Sequence, residues 1–263
     1  TLGTRYETSS GNVAQQDFVY LEVEAGQGFY TWIDYNDNGI QEFDEFEIAE
    51  FQDQANFLRV PLPNLQFIAT QSAKINQSIT LNASQWGTKN GLKKVLSHFY
   101  NQFFLSSRNE LERARNSFNL NPFNMSKDQQ ISVNFTIKNS LYFNRGLQNF
   151  SATYTYAKAE NKQQYSIGSQ DTDTNYQQID FQHKVGKFWL IDLQGKLSEN
   201  KLETENFNNR NYEIDVIAFQ PKISYVLNND NRFAAFYHMK NKENTLAEFE
   251  KLKQQKIGIE YFY

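Results

Sequence analysis

The sequence predicts an all-β fold: a transmembrane antiparallel β-barrel, or part of a larger one, with a small N-terminal extracellular calcium-loop/helix unit. Three observations lead there. From about residue 129 onward apolar residues recur at every second position, the period of a strand with two unlike faces. Short polar connections at Asn144–Gln148, Val185–Lys187 and Asn228–Asn231 alternate with long ones at 158–176, 198–211 and 240–250. Outer-membrane barrels alternate in this way, because their periplasmic turns are tight and their outer loops are free to grow. Aromatic residues make up 16 %, with 15 Tyr and 23 Phe, enough to furnish girdles at two membrane interfaces.

Residues 1–64 read as an extracellular cap. Within it, Phe18–Glu24 and Gly28–Ile33 resemble a hairpin joined by the Gly26–Gly28 turn, and a helix is expected over 43–56. Residues 65–263 read as barrel strands. Leu65–Ser84 and Leu92–Ser106 flank a short turn at Gly87–Gly91, although Leu96, Phe99, Tyr100 and Phe103 also fit a helical spacing. The stretch 107–128 is expected as a long outer loop with a helical turn at Glu110–Arg115. Ile131, Val133, Phe135, Ile137, Leu141 and Phe143 then line one face of a strand, with Ser, Asn, Thr and Lys between them.

Further runs follow at 150–156, 178–185, 189–197, 211–225, 233–239 and 257–263. In the fourth of these the apolar phase moves from Tyr212, Ile214 and Val216 to Ile217, Phe219 and Ile223, which suggests a β-bulge. Pro221 is awkward in a paired strand. The tally is nine strands from residue 65, whereas single-chain bacterial barrels are even-numbered. Either another strand lies within residues 1–24, or the chain belongs to a larger barrel; the second reading is preferred.

Composition removes several function classes. With no cysteine there are no disulfides, zinc thiolates or cysteine nucleophiles. The net charge of −4 offers no basic excess for nucleic acid. Mean hydropathy is −0.71, and no run approaches the roughly 18 apolar residues of a membrane helix. A barrel escapes that criterion, since half of every strand faces a wet interior. The opening TLGTRYETSSG lacks the basic start and apolar stretch of a signal peptide, so an exported protein carrying it is expected to have been processed or cut from something longer. No G-x-S-x-G, P-loop or H-E-x-x-H motif is present, and His98, His183 and His238 lie far apart, so no enzyme is expected. Asp171 and Asp173 read as a solvated loop tip.

One motif carries chemistry. Residues 34–45, DYNDNGIQEFDE, match the calcium-loop pattern D-x-[DN]-x-[DN]-G-x5-E. Asp34, Asn36 and Asn38 would supply side-chain oxygens, Ile40 its backbone carbonyl, Glu42 the ninth position and Glu45 a bidentate carboxylate, with Gly39 at the sharp turn. All are hard oxygen donors, which suit calcium. Gln41 stands where paired loops carry an aliphatic residue, and YTWI before the loop looks like a strand. A solitary structural calcium loop is expected, not a sensor. An acidic Asn-Gly turn that binds nothing is the alternative.

The block around it, with Val23, Gly26, Gly28, Tyr30, Trp32, Asp34–Asn36, Asn38–Gly39, Glu42, Glu45–Glu47, Ala49, Asp53, Ala55 and Arg59, resembles one found in large outer-membrane proteins of Bacteroidota. The resemblance implies a longer polypeptide, an outer-membrane address in a Gram-negative cell, and partners among other outer-membrane proteins or surface lipoproteins. The expected function is a non-enzymatic barrel component of an envelope transport or assembly complex, with outer-membrane lipid around it. A porin-like solute channel, a barrel enzyme and a secreted calcium-stabilised β-rich adhesin are the alternatives.

Overall fold

The computed structural model describes the chain except residues 89, 114–129, 148, 166–167, 206, 208–209, 229–230 and 247–249, and the side chains of 14–17, 44 and 63–66. The chain is all-β and antiparallel. Its strands are β1 (Leu2–Glu22), β2 (Tyr30–Trp32), β3 (Phe46–Ile48), β4 (Phe57–Asn82), β5 (Phe99–Glu112) and β6 (Gln130–Phe143), followed by β7 (Phe150–Tyr165), β8 (Gly168–Val185), β9 (Trp189–Thr204), β10 (Tyr212–Val226), β11 (Arg232–Asn244) and β12 (Lys251–Phe262). From β4 to β12 each strand pairs with its successor in a continuous meander, and β1 lies along the other side of β4. The small β2–β3 hairpin touches the start of β4 through Tyr30 and Phe57.

The nine expected strands from residue 65 onward are all present, and the short turns after β6, β8 and β10 fall where the polar residues place them. The first strand, β1, is an addition: residues 1–24 do hold one, paired with β4 from Leu2↔Ile79 to Glu22↔Phe57 with one register shift between Gln16 and Phe18. Among the described residues β1 and β12 are not paired with each other, so the sheet is open, not a closed barrel.

Several expectations are corrected. The segments read as long loops at 158–176, 198–211 and 240–250 are strand over 158–165, 168–176, 198–204 and 240–244, because alternation continues there with charged residues in place of apolar ones. Asp171 and Asp173 accordingly sit in β8, opposite Lys162 and Glu160 on β7, and not at a loop tip. Residues Leu92–Leu96 form a short helix, which makes the connection from β4 to β5 longer than the expected Gly87–Gly91 turn. Its backbone bonds, such as Ser97 N–H to the Lys93 carbonyl at 3.0 Å, replace a strand partner. Glu110–Glu112 continue β5, so no helical turn starts there; the rest of the expected 107–128 loop, from 114, lies outside the described residues.

No bulge interrupts β10. Its register with β9 runs unbroken from Tyr212↔Leu202 to Tyr225↔Trp189. The apolar residues simply change faces, from Ile214 and Val216 to Ile217, Phe219 and Ile223. Pro221 pairs with Leu193 of β9; having no N–H, it costs the ladder a donor without shifting the register.

The expected helix over 43–56 is absent. Two single 3-10 turns at Phe43–Glu45 and Gln52–Gln54 bracket β3 instead. Tertiary packing overrides the helical spacing here: Phe46 stacks on Tyr20 at 4.0 Å and meets Phe57 edge-on at 5.0 Å. Nor do 18–24 and 28–33 pair as a hairpin. The start of β4 lies against both, with Val23 N–H donating to the Asn56 carbonyl and Phe29 N–H to that of Phe57. Gly28 permits this approach, since a Cβ there would lie 2.6 Å from the backbone of Phe57.

Candidate functional site: the hairpin loop and the two faces of the sheet

The 34–45 loop spans the β2–β3 hairpin. Trp32 pairs with Phe46, and Ile33 N–H donates to the Glu45 carbonyl at 2.9 Å, so the residue before the loop meets its last position at the base. Inside the loop the carboxylate of Asp34 accepts from the backbone N–H of Asn38 (3.1 Å) and Gly39 (2.7 Å). Asn36 Oδ1 accepts from Asn38 N–H at 3.0 Å, and Asn38 Oδ1 from Ile40 N–H at 2.6 Å. Asn36 Nδ2 donates to Glu42 Oε2 at 2.9 Å. Gly39 has φ +70°, the left-handed turn that the sixth position needs.

Glu45 is the outlier. It is 2 % exposed, and its Oε2 accepts from the Trp32 indole at 2.8 Å and the Glu42 N–H at 3.3 Å. Its Oε1 is buried with no hydrogen-bond partner. A buried carboxylate oxygen without a partner is expensive, and a hard cation is one group that would satisfy it. Asp34, Asn36, Asn38, Glu42, Glu45 and the Ile40 carbonyl form an all-oxygen set that suits calcium. Among the described residues no three His, Cys, Asp or Glu side chains gather as a metal-binding group. Trp32 is the participant that loop spacing alone does not reveal.

Beside the loop, Phe18, Tyr20, Tyr30, Phe43, Phe46 and Phe57 pack edge to face or stacked, and the Arg59 guanidinium lies 3.7 Å over the Phe18 ring. Burial pushes the Tyr20 phenol above its ordinary range, with nearby Tyr30 adding to the shift. The unit thus has its own small core.

The sheet itself has two unlike faces. One carries Trp189, Ile191, Leu193 and Leu197 of β9, opposite Tyr225, Ile223, Pro221 and Ile217 of β10. These apolar runs span nine residues on each strand, within the roughly 9–11 that a tilted strand uses to cross a hydrocarbon layer. Their side chains are half uncovered, Leu197 at 54 % and Ile217 at 52 %, and on the same face Ile179 of β8 is 57 % exposed and Ile257 and Ile259 of the edge strand β12 are 80 % and 82 %. The accessible surface, 17652 Å², is half as large again as the about 12,000 Å² expected of a compact chain of this mass.

Beyond the apolar belt the same face turns charged. Lys158 pairs with Asp173 at 3.2 Å and Glu160 at 2.5 Å, Lys162 with Asp171, Lys201 with Glu203 and Lys251 with Glu243. The Glu160 hydrogen bond holds the Lys158 ammonium above its ordinary range, against a smaller opposing effect of burial.

The border between belt and rim crosses the strands obliquely. One row of paired residues reads Lys251, Glu243, Asp215, Glu199, Asn175 and Lys158 from β12 to β7, then Ile137 and Leu105 on β6 and β5. The belt's edge therefore stands higher on β6 and β5 than on β7 to β12. The slant averages roughly one residue per strand across the sheet, although β10, β9 and β7 are level. In a barrel, a shear equal to the strand number accompanies a tilt of about 36°.

The opposite face is mainly polar over the same span, with Asp180, Gln182, Asp192, Gln194, Gln220 and Lys222 among its members and Leu190 and Ala218 as exceptions. The three histidines do not meet. His98 Nδ1 lies 2.6 Å from Asn144 Oδ1, His183 Nδ1 2.6 Å from the Asn149 carbonyl, and His238 Nδ1 3.1 Å from Gln220 Oε1. In comparisons with known proteins, no protein-family model, curated protein or solved structure matches the chain.

Proposed function

We propose that this chain supplies strands of an outer-membrane β-barrel in a Gram-negative cell, as a non-enzymatic component of an envelope transport or assembly complex. The observation that carries the reading is the uncovered apolar belt, of bilayer height, edged by a charged rim and backed by a polar face. Lipid is the solvent that would cover the belt. Its oblique course supports a barrel, because tilted strands meet a flat slab at such a slant. The open edges of β1 and β12 support a protein partner or further strands of the same polypeptide, since backbone groups at an edge find no hydrogen bonds in hydrocarbon. The block around Trp32 and Asp34, with its resemblance to outer-membrane proteins of Bacteroidota, points to the same address.

In this reading the extracellular unit lies within residues 1–64, centred on the aromatic core and the loop, while 65–263 and the first half of β1 form the strand body. Asp34, Asn36, Asn38, the Ile40 carbonyl, Glu42 and Glu45 hold a structural calcium ion. The metal would supply the missing partner of Glu45 Oε1, and the Trp32 indole holds that carboxylate in place.

Membrane fractionation with detergent extraction tests the proposal. Partition into the outer-membrane fraction, with release by detergent and not by high salt, is the expected outcome. A monodisperse particle in surfactant-free buffer would overturn it.

A further inference from the structure

On the polar face the register places Lys196, Ala218 and Lys240 side by side on three adjacent strands, with Ser198, Val216 and Lys242 in the next row on that face. Residues directly opposed across strands keep their Cβ atoms about 4.5–5.5 Å apart. Two ammonium-bearing stems therefore flank a single methyl group, and a third rises one step along. The dent over Ala218 has a volume of about 310 Å³, and Gln194, Gln220 and His238 also line it. No Asp or Glu does.

Three lysines around one dent add up to a local positive potential, which raises the local concentration of anions. Carboxylates elsewhere on this face are already engaged. Glu260 pairs with Lys222, Asp192 accepts from Gln182, and Asp180 accepts from Gln178 and Gln194. The outer rim differs in kind: Lys158, Lys162 and Lys201 each face an acid across or along a strand. Around Ala218 the chain assembles cations and leaves out their counter-charge.

We propose that this dent is a binding site for a small oxyanion, inorganic phosphate or a phosphate ester, held by Lys196, Lys240 and Lys242. Lysine presents a mobile point charge, not a rigid fork, which suits an anion that enters and leaves. Lys196 Nζ lies 4.5 Å over the Tyr176 ring centroid, a cation–π contact that steadies the side chain beside the dent without neutralising its charge. Ser198, Gln194 and Gln220 add neutral donors. The site itself stands on the sheet register; its place on a solute path through a lumen rests on the barrel reading, where binding must be favourable enough to admit an ion and weak enough to release it.

The test is calorimetric titration of the intact protein in detergent with inorganic phosphate, at constant ionic strength, with chloride as the reference anion. Saturable binding of phosphate and none of chloride is expected. The double variant K196Q/K240Q should weaken binding at least tenfold, while K184Q, on the same face but outside the dent, should leave it unchanged. A218E, which puts a carboxylate between the two lysines, should abolish binding while the melting temperature holds or rises. Absence of saturable binding, equal affinity in K196Q/K240Q or A218E, or an equal loss in K184Q would each overturn the site. Vesicle flotation of the same preparation is a separate readout: protein that binds phosphate but does not float keeps the site and loses the barrel.

Discussion

Phe46 and Phe57, beside the calcium-type loop, are 4 % and 3 % exposed, whereas Ile257 and Ile259, on a regular paired strand, stand almost wholly open. The two regions handle apolar side chains in opposite ways. Near the loop, the chain folds back over β1 and β4 and stacks ring on ring, so it supplies its own second layer. From β7 to β12 there is a single layer, and nothing described covers the apolar side. Fully burying an aliphatic side chain is worth about 1.5–3 kcal/mol. The belt forgoes that gain at many positions unless another phase or protein provides it. Burial is thus a property of what lies opposite a strand, not of the strand's own regularity.

Four experiments would break or sharpen this contrast. Phe46→Ala should cost the N-terminal unit about 3–5 kcal/mol by emptying its core. Hydrogen exchange would show 18–60 opening while the detergent requirement stays the same; a uniform loss across β6–β12 would mean the two regions are one cooperative block. Leu193→Arg, in the middle of the belt, should cost about 2–4 kcal/mol in lipid and reduce flotation, with no change in the loop. If flotation is unaffected, lipid does not touch that face.

Removal of calcium should act only on the first region. For a site of about 0.1 mM affinity in about 2 mM calcium, mass action gives about 1.8 kcal/mol. Chelator should lower the stability of the wild type by that amount, read as a lower melting temperature, and leave Glu45→Gln unmoved, and an unshifted wild-type curve would argue against a structural metal. The smallest effect concerns the rim. The Lys158 ammonium is held above its ordinary range by Glu160, so its contribution is full below about pH 10.5 and is lost as pH rises through the higher folded value. Amide protection over 158–165 and 168–176, taken relative to the intrinsic base-catalysed rate, should fall only in that alkaline window; a fall near neutrality would refute the assignment.

Much of the sheet was legible because hydrophobic alternation marks the belt strands directly. The upper halves of β7 to β11 were not, since Lys, Glu, Asp and Asn alternate there without a hydropathy signal, and only cross-strand pairing reveals them. β1 was obscured for the same reason: SSGNVAQQ carries almost no apolar periodicity, yet β4 holds it in register. The loop ligands could be read from spacing alone, whereas Trp32 required the hairpin. Lys196, Ala218 and Lys240 come from three separate strands, and no linear pattern joins them. The false helix at 43–56 shows the converse error, a local period overruled by the Tyr20–Phe46 stack.

The oblique border on the outer face also constrains whatever adjoins the sheet. A segment annealing to the free side of β12 must carry its greasy stretch about one position nearer the tight bends, and one joining β1 must carry it about one position nearer the opposite end. Candidate neighbours can therefore be sorted by phase, before any of them is seen in place.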